Sequence, residues 1–267
     1  MFSLGDAYEH FMGRWSRDLA RRLVQFAGVH DNDDDVLDVG SGTGALSAAI
    51  AAAAPSSRIV GVDRSEPYIL AARARHPSER VHFEVADAQH LPFADGRFDR
   101  AISLLTLNFV PDPAKALHEM IRVTRSGGTV AAAVWDYGDG MEMLRVFWDE
   151  AIALNPAAAG KDERHMPLCR RGELSTLWHA HSLKDISEEA LAIETRFSSF
   201  DDCWSPFLAR QGPAGAYVST LSPHDGEQLR VRLRRRLLRD DVERPIALTA
   251  RAWGVRGVVQ AAARALR

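Results

Sequence analysis

Cysteine is scarce in this chain of 267 residues. Cys169 and Cys203 are too few and too isolated for a disulfide framework or a zinc knuckle. Reduced thiols in a cytoplasmic protein are the expectation. Long hydrophobic runs are also missing. The longest apolar stretch, Ala45 to Ala54, is alanine-rich and closed by Pro55, whereas a bilayer span takes roughly 20 predominantly apolar residues. The opening MFSLGDAYEHFMGRWSRDLARRL scatters charge of both signs and lacks the apolar core of a secretion signal. Neither charge is in excess: Lys+Arg 33 against Asp+Glu 36 leaves a net −3. Nothing global therefore draws the chain to a polyanion. These absences predict a soluble, cytoplasmic protein with no membrane partner and no general affinity for nucleic acid.

What is present is a regular alternation. Leu19, Leu23 and Phe26 set a helical stripe before the acidic turn Asp31–Asp35. Val36–Val39 reads as a strand, Leu46–Ala54 as a helix and Arg58–Val62 as a second strand. Ser65 and Pro67 then open a helix running to about Arg75. Val81–Val85 is a third strand and the AISLL segment ending at Leu105 a fourth. Asp112 and Pro113 start a helix that Ser126-Gly127-Gly128 is expected to stop, and Thr129–Val134 is a fifth strand. Strands alternating with helices from Val36 to Trp135 predict a parallel sheet with helices on both faces. Further on the pattern is less regular. Helices are predicted over Met141–Leu154, Gly172–His181 and Ser222–Arg239, and strands within Leu183–Phe200 and Pro245–Val255. A loop is predicted over AAAGKDERHMP.

Chemistry concentrates in VLDVGSGTGALSAAI, Val36–Ile50. Three alternating glycines between a strand and a helix let a ligand approach the backbone, and the helix start offers free amide donors. The same residues satisfy the looser dinucleotide pattern G-x-G-x-x-A, so the turn alone does not choose between cofactors. Asp63 closes the second strand about twenty residues on, where a carboxylate accepts from both hydroxyls of a ribose. Then comes VADAQHLPFADGRFD, Val85–Asp99. There Asp87 is placed to accept from an adenine amino group, and Leu91, Pro92 and Phe93 are apolar neighbours suited to cover the ring.

Together VLDVGSGTG, VGVDRS, VADAQHLPFADGRFD and LLTLNFVPDPAKALHEMIRVTRSGGTV resemble the class I S-adenosylmethionine-dependent methyltransferases, in the small-molecule branch that includes quinone-biosynthesis enzymes. The resemblance implies a doubly wound, Rossmann-like, mostly parallel seven-stranded sheet with a helical lid and helical insertions. Residues 1–35 would form the lid, 36–135 the cofactor-binding core, and 136–267 the rest of the sheet with the acceptor-pocket insertions. Asp38, Gly40, Ser41, Gly42 and Gly44 would face the methionine part of S-adenosylmethionine. Asp63 would hold the ribose, with Arg64 and Ser65 flanking the adenosine. Asp87 and Ala88 would meet the adenine, and Leu104 would close under the sulfonium. Tyr8 and Arg14, in YEHFMGRW, would reach the methionine carboxylate.

The expected partner is a small methyl acceptor, partly apolar, held by residues 1–30, about 136–182 and about 201–240. Trp148, Trp178, Phe197, Trp204 and Phe207 are candidates to line its pocket. His10, His165, His179 and His181 are candidate bases, none preferred. No metal is expected, since His179 and His181 point apart on a helix. Other functions remain open. The basic run Arg230–Arg239 would suit an RNA methyltransferase, or the acceptor could be a protein. Asn108-Phe109-Val110-Pro111, however, departs from the Asn-Pro-Pro-aromatic motif of base-amine methylators. An NAD(P)-dependent reductase needs a Tyr-x-x-x-Lys pair that is not found. A non-catalytic cofactor-binding protein is the third alternative.

Overall fold

The computed structural model describes residues 13–31, 35–210, 212–239 and 242–260. Its seven strands form one sheet: β1 (Asp35–Val39), β2 (Arg58–Asp63), β3 (Val81–Val85), β4 (Phe98–Leu104), β5 (Thr124–Trp135), β6 (Lys184–Phe197) and β7 (Ile246–Val258). The spatial order is β3-β2-β1-β4-β5-β7-β6. All pairings are parallel except those of β7, which runs antiparallel to both neighbours. β1 is buried along its whole length, Asp35 and Asp38 included, as befits a central parallel strand. This is a Rossmann-like fold. The chain leaves β1 toward β2 on one side and returns to β4 on the other, so the loops after β1 and β4 flank the switch point where open α/β sheets hold ligands.

The helices follow from local signals. α1 (Arg14–Phe26) buries Trp15, Leu19 and Leu23 and packs against α2 (Ala45–Ala53) and the β6–β7 edge. α3 (Glu66–Arg75) carries Pro67 in its first turn; Ser65 stands at its N-cap, but its hydroxyl makes no capping bond. α4 (Pro113–Val123) is capped by Asp112, whose carboxylate accepts from the Lys115 amide at 2.9 Å. α5 (Glu142–Leu154) and α6 (Glu173–Ala180) lie between β5 and β6. α7 (Phe200–Leu208), α8 (Gly212–Val218) and α9 (Pro223–Leu238) lie between β6 and β7. No described helix is long and apolar enough to cross a membrane.

Three features depart from expectation. The Ser126-Gly127-Gly128 stretch does not end α4 but lies inside β5, which begins at Thr124. A side chain at Gly128 would come within 2.5 Å of the Asp99 carbonyl, so glycine there lets β5 pass close to β4. The AAAGKDERHMP loop is wound into two 3-10 turns, Pro156–Lys161 and Glu163–His165. Helices α7 and α8 fall in the region of the expected helical insertions, where the residue pattern placed no individual helix.

Three arginines of α9 are bound up within the fold. Arg230 pairs with Asp201 at 2.8 Å, Arg232 with Glu150 at 2.9 Å, and Arg234 with Glu243 at 2.7 Å. Leu229, Leu233 and Leu238 are buried beneath them. This helix docks on α5 and α7 through its acidic partners, leaving those three guanidinium groups engaged rather than offered to phosphates.

Candidate active site

The glycine turn is lashed to the end of β2. The Gly40 and Ser41 amides both donate to the Val62 carbonyl, at 2.7 and 2.8 Å, and the Gly44 amide donates to Ser41 at 2.9 Å. All three glycines adopt positive φ, but for different neighbours. A Cβ at Gly40 would lie 2.2 Å from Thr106, and one at Gly44 would lie 2.6 Å from His76. Only at Gly42 would it point into open space. Of the three, Gly42 is the one where a missing side chain leaves open space rather than room for a protein neighbour. Gly40 and Gly44 are glycines because protein packs against them, and Gly44 does not line the cavity below.

Asp63 sits at the rim of this turn. One carboxylate oxygen accepts from the Gly42 amide at 3.0 Å and the other from the Ser65 amide at 2.8 Å. Each oxygen keeps a further lone pair for a ligand. Ser65 thus acts through its backbone on Asp63 and does not itself reach the cavity. Asp38 also stays out of it, fully buried beneath the turn. Ser47 donates to one of its oxygens at 2.6 Å, while the other, Oδ1, has no partner among the described residues. Burial pushes its carboxyl up to about 7; the Ser47 bonds oppose this, and the Asp63 charge adds to it.

A cavity of about 450 Å³ opens from Gly42. At one end its walls are Asp63, Arg64, Tyr68, Ala86, Asp87 and Ala88. Asp87 is exposed and accepts from the Gln89 amide at 2.9 Å; that bond, against a smaller cost of burial, holds its carboxyl below the usual range. The middle is formed by Leu104, Leu105 and Thr106. Leu105 has φ +57°, a left-handed conformation that is strained in a leucine. It is pinned there by its amide, which donates to the Ala133 carbonyl at 2.8 Å. Thr106 Oγ1 lies within bonding distance of the Gly40 and Leu104 carbonyls, at 3.1 and 3.0 Å. The other end is walled by Trp135, Tyr137, Leu144, Glu163, Met166 and Pro213.

Of the sequence-predicted residues, the cavity thus gathers Gly40, Ser41, Gly42, Asp63, Arg64, Asp87, Ala88 and Leu104. Asp38, Gly44 and Ser65 support it from behind. Tyr8, His10 and the side chain of Arg14 lie outside the described residues. The segment after Asp87 faces elsewhere: Leu91 is buried, Phe93 packs edge-on to Phe98 at 5.0 Å, and neither lines the cavity. Arg122 fixes that segment, donating to the Leu91 and Phe93 carbonyls at 2.9 and 2.7 Å and pairing with Glu119 and Asp95.

The five aromatic candidates for the acceptor pocket are corrected outright. Trp148, Trp178, Phe197, Trp204 and Phe207 are all buried in the core and none lines the cavity. Phe207 stacks on Phe147 at 4.4 Å, Phe197 meets Trp15 edge-on, and the Trp178 indole donates to the Val130 carbonyl at 3.2 Å. The aromatic walls are instead Tyr68, Phe109, Trp135 and Tyr137. His165 and His179 are exposed, His181 is tied to the Leu177 carbonyl at 2.9 Å, and no histidine stands among the described lining residues.

Sequence reasoning missed Tyr68, one helical turn past Asp63, and Glu163, hidden in what reads as a polar loop. Tyr68 was within reach, because a residue at the start of the helix after an acidic strand end faces that acid. Burial raises its phenol above the ordinary value and the Asp63 charge adds to the effect.

A glycine turn, a strand-end carboxylate and a cavity at the switch point define a site of the nucleotide-binding α/β class. Residues 37–132 match the family described as a methyltransferase domain. Tocopherol O-methyltransferase of Arabidopsis thaliana is 30% identical over 176 residues, covering 61% of this chain and 49% of that protein. Demethylmenaquinone methyltransferase of Roseiflexus sp. is 42% identical over 95 residues, covering 36% of this chain and 40% of that one. The chain thus spans less than half the length of these curated relatives. Among solved structures, Haemonchus contortus phosphoethanolamine N-methyltransferase 2, in complex with S-adenosyl-L-methionine, shares the fold. The match has a TM-score of 0.57 at 18% identity, over 96% of this chain and 56% of that one.

Proposed function

We propose that the protein is an S-adenosylmethionine-dependent methyltransferase acting on an O, N or C atom of a small, largely apolar molecule. The observation that carries this reading is Asp63, with its two oxygens already set by backbone amides at the mouth of the cavity beside Gly42. A diol is the ligand such a fixed carboxylate suits, since both hydroxyls donate to one planar acceptor. The rest of the site fits the cofactor. Ser41, whose Oγ is a buried polar atom without a protein partner, lines the cavity at the turn, ready for the methionine amino or carboxylate group. Asp87 and Ala88 stand where the adenine would lie.

When bound, S-adenosylmethionine supplies a methyl group already activated by a sulfonium. The chain's own task is then alignment and exclusion of water. Positioning alone is worth roughly 7–11 kcal/mol in favourable intramolecular systems. Leu104, Leu105 and Thr106 shape the middle of the cavity, and Trp135, Tyr137, Leu144 and Met166 make an apolar far end for the acceptor. The relatives named for tocopherol and demethylmenaquinone support an acceptor of that apolar kind. Buried free thiols at Cys169 and Cys203 accord with a reducing compartment, and the cytoplasm is the proposed location.

The test is transfer of label from methyl-labelled S-adenosylmethionine to a panel of small phenols, quinols and amines, with total RNA and total protein as parallel acceptors. Label in a small-molecule product supports the reading. Label only in RNA or protein overturns its acceptor half.

A further inference from the structure

Glu163 stands apart from every other group in the cavity wall. It belongs to the short turn Glu163–His165, is 6% exposed, and lines the cavity, as do Tyr137, Leu144 and Met166. The Trp148 indole N–H donates to its Oε2. The neighbouring cations are occupied elsewhere. Arg145, from α5, pairs with Asp162 at 2.6 Å, and Arg164 clasps the same carboxylate at 2.6 Å while reaching Asp149 at 3.8 Å. His165 is exposed and turned toward Arg170 at 3.5 Å. Across the cavity the charged groups are Asp63, Arg64 and Asp87, all at the opposite end. A carboxyl is thus held in an apolar wall with no cation paired to it among the described residues. Burial raises its pKa; the Trp148 bond and Arg145 oppose this, and Asp162 adds to it.

An apolar pocket carries such a group at a cost unless a ligand uses it. We propose that Glu163 is the catalytic base of the acceptor site, taking the proton from the hydroxyl or amine group of the molecule that receives the methyl. The inference rests on the methyltransferase reading above. In the step, the acceptor's O–H or N–H bond breaks and its proton passes to the Glu163 carboxylate. The electron pair of the acceptor atom forms the new bond to the methyl carbon, and the S–C pair stays on sulfur. Charge balances: the sulfonium becomes a neutral thioether and the carboxylate a neutral acid. The same group sets specificity. Among the described lining residues the one cation, Arg64, is at the other end, so acceptors carrying a carboxylate or phosphate near the reacting atom are refused, and neutral ones are admitted.

The experiment needs no acceptor at first. A base near the reacting atom also lies near the sulfonium, whose positive charge favours the ionised form of Glu163 over the protonated one. S-adenosylhomocysteine lacks that charge but shares every other group. Calorimetric titrations at several pH values from 5 to 8, each in two buffers of different ionisation heat, count protons released on binding each ligand to the wild type and to Glu163→Gln. Expected is greater release with S-adenosylmethionine than with S-adenosylhomocysteine in the wild type. In Glu163→Gln the difference should vanish while S-adenosylhomocysteine affinity stays within about twofold. The Gln carbonyl still accepts from Trp148, so an unchanged thermal midpoint verifies that the variant folds.

Equal release for the two ligands in the wild type at every pH, or a difference that survives in the variant, overturns the assignment of Glu163 while the cofactor reading stands. Failure of both ligands to bind the wild type overturns the cofactor reading and this inference with it. With an acceptor in hand, the variant should lose 10²–10⁴-fold in kcat with little change in KM. It should also lose the acid limb of the pH profile. A variant within threefold of wild type would refute the role.

Discussion

Replacing Asp38 by Asn isolates the energetic cost of the glycine turn's buried carboxyl. Its ordinary value of 3.8 is raised to about 7 in the folded chain, because burial in the closed space under the turn disfavours the charge. At about 1.4 kcal/mol per pH unit of that gap, the ionised carboxyl costs the empty protein on the order of 4 kcal/mol. The folded value is the raised one, so the folded chain holds the proton more tightly. The group's stabilising share is complete below about pH 4, and it is lost as pH rises through 7. Integrated between pH 5 and pH 8, the loss is about 2–3 kcal/mol. Asn keeps the shape and an acceptor for Ser47 but does not titrate. Urea denaturation of both proteins, free of ligand, at the two pH values reads the difference directly. The stability gap in favour of Asp38→Asn should widen by about 2–3 kcal/mol from pH 5 to pH 8, since groups common to both proteins cancel. Parallel pH dependences would refute the reasoning, and would mean that Asp38 is solvated or paired in solution.

Other outcomes follow from the same site. Asp63→Asn keeps one oxygen acceptor but replaces the other with an amide donor facing the Gly42 or Ser65 amide; S-adenosylhomocysteine affinity should fall about 10²-fold, on the order of 2–3 kcal/mol for bonds to a charged group, as read by calorimetry. Gly42→Val points into open space, so the fold should survive with about 1–2 kcal/mol of backbone strain while ligand binding is lost; denaturation and titration on one sample separate the two. Gly40→Ala, by contrast, drives a methyl group against Thr106 and should lower the thermal midpoint measurably. Arg122→Ala frees the Leu91 and Phe93 carbonyls and unpairs Glu119, and should cost about 2–3 kcal/mol in urea denaturation. Arg122→Lys, lacking the planar fork, should recover little of it.

The first half of the chain was largely legible because its signals are local. A glycine turn after an apolar strand, Pro67 and Pro113 near helix starts, and Asp63 at a strand end each act over a few residues. The start of β5 was misread because Gly127 and Gly128 usually punctuate; here β5 slides past β4 with a register shift at Phe98/Arg100, and only glycine fits beside Asp99. The direction of the aromatics was not legible for a related reason. Trp148, Phe207 and Trp204 have helical spacing and polarity equally suited to a pocket or a core, and the choice is made by contacts across α5, α7 and α8. Glu163 was hidden most deeply. Five of the six residues in KDERHM are polar or charged, and the segment turns inward only because Asp162 meets Arg145 seventeen residues earlier in the chain and Glu163 meets Trp148.

The central claim is that this cavity binds S-adenosylmethionine. Calorimetric titration of the purified protein with S-adenosylmethionine, S-adenosylhomocysteine and NADH tests it most directly. The account predicts micromolar binding of the first two and none of the third. Binding of NADH alone would contradict it and return the glycine turn and Asp63 to a reductase.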